Sequence, residues 1–237
     1  MTVRPARLNA AIALLFMVGS ACFVIGSVPA YLNAVGGWVD GITYFVGSVF
    51  FTSASYCQLV QAQSPATTGV DTAGQHVPVP AQRWGWLPRD RGWMAAATQF
   101  PGTLFFNIST FAALTHNASA AESDRYVWRP DFFGSVLFLV SSAYGILAVG
   151  RFLAWDPASV PWRIAWVNML GSVLFMASAL ASYVLPSSDE VVNTRISVAG
   201  TLFGAVCFLV GAALMFPAWR QELRPARADA PGSPRTT

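Results

Sequence analysis

Charge is scarce in this 237-residue sequence: acidic and basic residues together make up 11% of it. Soluble domains carry about 25%, so a surface this poor in charge cannot face water everywhere, and lipid must cover much of it. Lysine is absent, and all 14 basic residues are arginine. We read that as the coding bias of a GC-rich bacterial genome. A net charge of +3 is too small to point to nucleic acid as a partner. Histidine occurs only at His76 and His116, and neither has cysteine or carboxylate partners at metal-ligand spacing. The three cysteines, Cys22, Cys57 and Cys207, lie inside apolar runs. An odd count there argues against a disulfide framework and for small buried hydrophobes. No Ser–His–Asp set and no glycine-rich phosphate loop stands in a suitable context. The expectation is a chain that is not an enzyme and holds no cofactor or metal.

What is present is apolar length. Hydrophobic residues are 54% of the chain. Six stretches reach the roughly 20 apolar residues that a spanning helix needs: Leu8–Leu32, Gly41–Gln61, Trp93–Thr115, Phe132–Leu153, Ile164–Leu185 and Ile196–Phe216. None has an acid or arginine near its centre; Asp40, Asp131, Arg151 and Arg195 sit at ends. Intramembrane carboxylates usually carry proton or ion coupling, so such a mechanism loses support. The first stretch follows Arg4 and Arg7, as a secretory signal would, but it is longer than a signal core of about 7–15 residues.

The arginines set an orientation. Eleven of the 14 lie in the amino-terminal arm (Arg4, Arg7), the second loop (Arg83, Arg89, Arg91), the fourth loop (Arg151, Arg163) and the tail (Arg220, Arg224, Arg227, Arg235). Only Arg125, Arg129 and Arg195 lie in the alternate loops. Cytoplasmic segments carry the basic excess, so both termini are expected in the cytoplasm and the chain in the bacterial cytoplasmic membrane. Tryptophans concentrate in loops or at segment ends, where indole favours the headgroup level. The loop over residues 62–92 is expected to be mobile and cytoplasmic, ending in a Trp- and Arg-rich surface stretch; residues 219–237, with Pro225, Pro231 and Pro234, are expected to be a disordered tail.

Each stretch carries one pattern: Gly at offset 0, Ser, Thr or Ala at 1, Phe at 4, and small residues at 7 and 8. The Gly and Phe positions are Gly19 and Phe23, Gly47 and Phe51, Gly102 and Phe106, Gly134 and Phe138, Gly171 and Phe175, and Gly204 and Phe208. At about 100° per residue these offsets fall within an arc of roughly 120°. Each helix thus has a face of small residues bearing one Phe, suited to close helix packing in lipid. The successive glycines are 28, 55, 32, 37 and 33 residues apart. Alternating short steps divide the chain into three tandem hairpins, about 8–63, 93–154 and 162–218, all in the same orientation. The expected fold class is all-α: a polytopic membrane protein of six transmembrane helices in three parallel hairpins.

The hairpin with Gly-Ser-x-x-Phe in each helix, and FVGSVFFTSASYCQLVQA (Phe45–Ala62) in the second, resembles the YrhK-like domain of bacterial membrane proteins. The resemblance implies a two-helix apolar unit of about sixty residues, here in three degenerate copies. It implies no activity.

Among uncharged polar residues in the stretches, Gln99 and Asn168 each lie three positions before a motif glycine, and Asn107 is at offset 5. Pro101, beside them, removes a backbone hydrogen bond and is expected to kink the third helix. Two functions follow. One is a non-catalytic membrane scaffold or assembly component, with the bilayer and a second copy or another membrane protein as partners. The other is a channel or facilitator for a small neutral solute, lined by Gln99, Asn107 and Asn168.

Overall fold

The computed structural model describes residues 5–64, 68–70, 76–78, 84–115, 119–150, 155–188 and 190–222. His116, Arg151 and the tail beyond residue 222 lie outside them. The described residues are overwhelmingly helical. In chain order the helices are α1 (Pro5–Gly26), α2 (Pro29–Ala62), α3 (Arg91–Thr115), the single turn α4 (Ala120–Glu122), α5 (Arg129–Val149), α6 (Val160–Ala181) and α7 (Thr194–Glu222). A π-helical turn, Ser123–Trp128, joins α4 to α5. Five helical stretches are long and apolar enough to cross a membrane, those of α1, α2, Ser123–Val149, α6 and α7. The sixth long helix, α3, has 25 residues but a lower hydropathy, because Thr98, Gln99, Thr103, Asn107, Ser109 and Thr110 interrupt its apolar residues.

Several boundaries differ from the sequence expectation. The first apolar run does not continue to Leu32. Pro29 has no N–H to give the preceding turn and biases the residue before it to extended backbone; Val28 is at φ −87°, ψ 116°. The chain therefore turns at Ser27, whose hydroxyl donates to the Phe23 carbonyl (2.7 Å). Within α2, Gly36 has φ 80° and ψ 161°, which breaks the helix before the expected Gly41 start. Asp90 starts α3 by accepting from the Trp93 amide at 2.7 Å. Ser159 caps α6, which starts at Val160, four residues ahead of the expected Ile164, and Asn193 caps α7. Pro101 does not interrupt α3. The long loop is not wholly irregular, because Thr68–Val70 pairs antiparallel with His76–Pro78.

The six long helices form a closed ring. Helix α1 packs on α2, α2 on α3, α3 on α5, α5 on α6, α6 on α7, and α7 returns to α1. The helices that the motif spacing groups together, α1 with α2, α3 with α5 and α6 with α7, are neighbours in this ring. Outward faces carry exposed Leu14, Val18, Ile25, Val46, Val49, Leu170, Val173, Phe203 and Val210. The interior is aromatic, with Phe16, Phe23, Phe51, Phe106, Phe138, Phe175 and Phe208 in one buried cluster.

Candidate functional site

The motif glycines and phenylalanines meet reciprocally inside each hairpin. A side chain at Gly19 would touch Phe51, and one at Gly47 would touch Phe23. The same exchange joins Gly102 to Phe138 and Gly134 to Phe106, then Gly171 to Phe208 and Gly204 to Phe175. In each pair one glycine lies close to the other's carbonyl; a Cβ at Gly19 would be 2.9 Å from the Gly47 oxygen. Only glycine permits that approach. The offset-1 residues Ser20, Ser48, Thr103, Ser135, Ser172 and Ala205 are all fully buried. At seams between hairpins the hydroxyls of Ser48 and Thr110 share a 3.0 Å hydrogen bond, and those of Ser142 and Ser172 a 2.8 Å one.

The six motif rings form two stacked layers. Phe51, Phe138 and Phe208, from the second helices, make a complete triangle with centroids 6.4, 6.0 and 5.6 Å apart. Phe175, from a first helix, lies 6.0 Å from Phe23 and 5.8 Å from Phe106. Within hairpins the layers touch at 5.6, 5.0 and 5.2 Å. These separations lie in the range aromatic pairs prefer. The ring is thus closed across its middle.

On one side of this barrier a cavity of about 360 Å³ opens toward the helix ends that join one hairpin to the next. Its floor includes Phe138 and Phe208, and Phe16 contributes to the wall. Gln99 and Asn168 face it, together with Asn9, Gln58, Ser141 and Ser142. The repeat explains the arrangement. Three positions before the first-helix glycines lie Phe16, Gln99 and Asn168, and ten before lie Asn9, Gly92 and Pro161. Eleven positions after the second-helix glycines lie Gln58, Gly145 and Met215. All nine residues line the cavity. At Gly145 an added Cβ would meet nothing within 4 Å, so that glycine leaves the cavity open.

The polar groups are unevenly occupied. Gln61 donates to Asn9, and Ser141 donates to the Ala95 carbonyl at 2.8 Å, with a weaker contact to Gln99 at 3.4 Å. The Gln58 carbonyl oxygen is buried without a partner. The cavity therefore offers amide donors and acceptors on apolar walls, without an acid or base among the described residues that line it. Asn107 is not brought there. It sits at the α2–α3 seam and donates to the Thr52 hydroxyl at 2.9 Å. An offset of 5 turns it out of the motif arc toward the neighbouring hairpin. Sequence reasoning missed Asn9, because the equivalent positions hold Gly92 and Pro161 and the offset carries no shared polar signal.

Among the described residues no group of three or more His, Cys, Asp or Glu could hold a metal ion. No family model, no curated protein and no solved structure matches this chain, so its resemblance to the YrhK-like unit rests on the motif residues alone.

Proposed function

We propose that the chain is a six-span membrane protein, a non-enzymatic facilitator whose cavity admits a small, neutral, hydrogen-bonding solute. The observation that carries this reading is the cavity itself. Gln58, Gln99 and Asn168 offer neutral amides above a phenylalanine floor, and among the described residues no charged side chain lines the space. A solute such as glycerol, urea or formamide could satisfy those amides and contact the apolar wall; an ion would leave its charge unpaired.

Exposed residues support the sixth span. On α3, Leu104, Ile108 and Phe111 form an exposed apolar stripe at spacings of four and three, while Gln99 faces the cavity, Asn107 and Thr110 bond across to α2, and Ser109 donates to the Val127 carbonyl. Trp84, Trp86 and Trp155 are strongly exposed beside the cavity mouth, and Trp38 at the opposite end, the disposition of interfacial belts. With the arginine distribution, this supports a bacterial cytoplasmic membrane location with both termini, and the cavity mouth, on the cytoplasmic side.

The scaffold reading rested on helix packing being the strongest signal in the sequence. All six motif glycines are buried within the bundle, so that packing is internal to the chain and no longer favours it.

The test is solute-driven volume recovery of proteoliposomes in glycerol, urea and formamide. Wild-type vesicles should recover faster than protein-free ones. Gly145→Phe, which projects a ring into open cavity space, should return them to the protein-free rate. Gln99→Leu with Asn168→Leu should slow recovery, and Asn107→Leu should not. Wild-type vesicles no faster than empty ones would refute the facilitator.

A further inference from the structure

Beyond the aromatic barrier lies a second chamber of about 130 Å³ with different chemistry. Its floor is Phe23, Phe106 and Phe175. Its wall carries the residues three positions before the second-helix glycines: Tyr44, Asp131 and Thr201. The threefold repeat thus sets a phenol, a carboxyl and a hydroxyl around one space.

Two of these groups are engaged. The Tyr44 hydroxyl shares a 2.9 Å hydrogen bond with Ser27, and Thr201 a 2.7 Å one with Ser178. Asp131 makes no hydrogen bond or ion pair among the described residues. Nor does it cap a helix end, because helical backbone runs through Trp128 and Arg129 into α5 and leaves no free amides there. One turn from Tyr44 on α2, Asp40 is 8% exposed and its Oδ1 has no partner. Arg125, Arg129 and Arg195 are exposed, and the single ion pair among the described residues, Arg129–Asp124, lies outside the chamber.

Asp131 is half-buried; a carboxylate even partly withdrawn from water without a counter-charge is costly, and aromatic faces attract cations. Divalent metals take six or more oxygen ligands, whereas the hydroxyls here already have partners and the floor is carbon. An ammonium group bearing a short alkyl chain needs only one carboxylate and an apolar or aromatic wall. We propose that this chamber binds a small alkylammonium ion, its nitrogen on Asp131 and its carbon end on the Phe23–Phe106–Phe175 floor. The proposal stands apart from the neutral-solute cavity and does not depend on it.

Thermal unfolding of the full chain in detergent, titrated with methylammonium chloride against sodium chloride at equal ionic strength, tests it. Methylammonium should raise Tm saturably, by roughly 5–10 °C at about a hundredfold excess over Kd. Sodium and the oversized tetrapropylammonium should not. Asp131→Asn should abolish the rise, and so should Thr201→Met, which fills the chamber and keeps the carboxyl. An unshifted wild type, an equal rise with sodium, or a rise that survives either variant would overturn the proposal. If Asp131→Asn does not fold, the wild-type selectivity and Thr201→Met decide.

Discussion

At Gly19 a single added methyl would sit 2.9 Å from both the Gly47 carbonyl oxygen and the Phe51 ring. Backbone cannot yield there without parting the two helices. Gly19→Ala should therefore destabilise the protein by about 1–3 kcal/mol, the usual cost of overpacking. Gly145→Ala should be neutral or slightly stabilising, since nothing lies within 4 Å. Thermal unfolding in detergent separates the two, and equal effects would contradict the packing account. The role of these glycines was legible because close approach in lipid selects the smallest residues, and that selection leaves a pattern. Asn107 was misplaced because an amide just past the edge of an arc can serve a cavity or a seam; the partner, Thr52, is 55 residues away in sequence. Gln99 and Asn168 share a repeat offset, while the matching position before Gly19 is Phe16, which carries no polar group.

Elements end where backbone chemistry dictates, and here hydropathy alone misleads. The first apolar run reads through Val28, Pro29 and Leu32 without a polar break, yet the helix stops at Gly26 because Pro29 cannot extend it. The correction was available in the proline, and apolar length masked it. The break at Gly36 belongs to the same scale. Its φ and ψ are essentially reserved for glycine, so Gly36→Ala should cost about 1–3 kcal/mol although its Cβ would meet open space. Gly37→Ala, next to it and equally open, should cost little; the contrast in denaturation midpoints checks this. Between hairpins, the Ser142–Ser172 hydroxyl pair joins α5 to α6. A double-mutant cycle to alanine should give a coupling of about 0.6 kcal/mol, typical of interhelical bonds in membranes. A coupling indistinguishable from zero would mean that shape alone holds that seam.

At the largest scale the described helices form a ring around two aromatic layers. The all-helical, apolar character was legible from the composition, and the helix pairs that the motif spacing groups together are neighbours in the ring. Their closure was not legible, because all six helices carry the same notch and Phe, and such a pattern does not say which notch receives which ring. Nor did the sequence reveal that the small faces would all be used internally. That outcome leaves apolar side chains outward and places the polar groups at the helix seams and in two chambers on either side of the barrier. The larger chamber is expected to be open to water from the side bearing the termini. In a background lacking Cys22, Cys57 and Cys207, Gly145→Cys should react with a membrane-impermeant maleimide in inside-out vesicles and resist it in intact cells. Labelling from the outer face, or protection on both sides, would contradict the account.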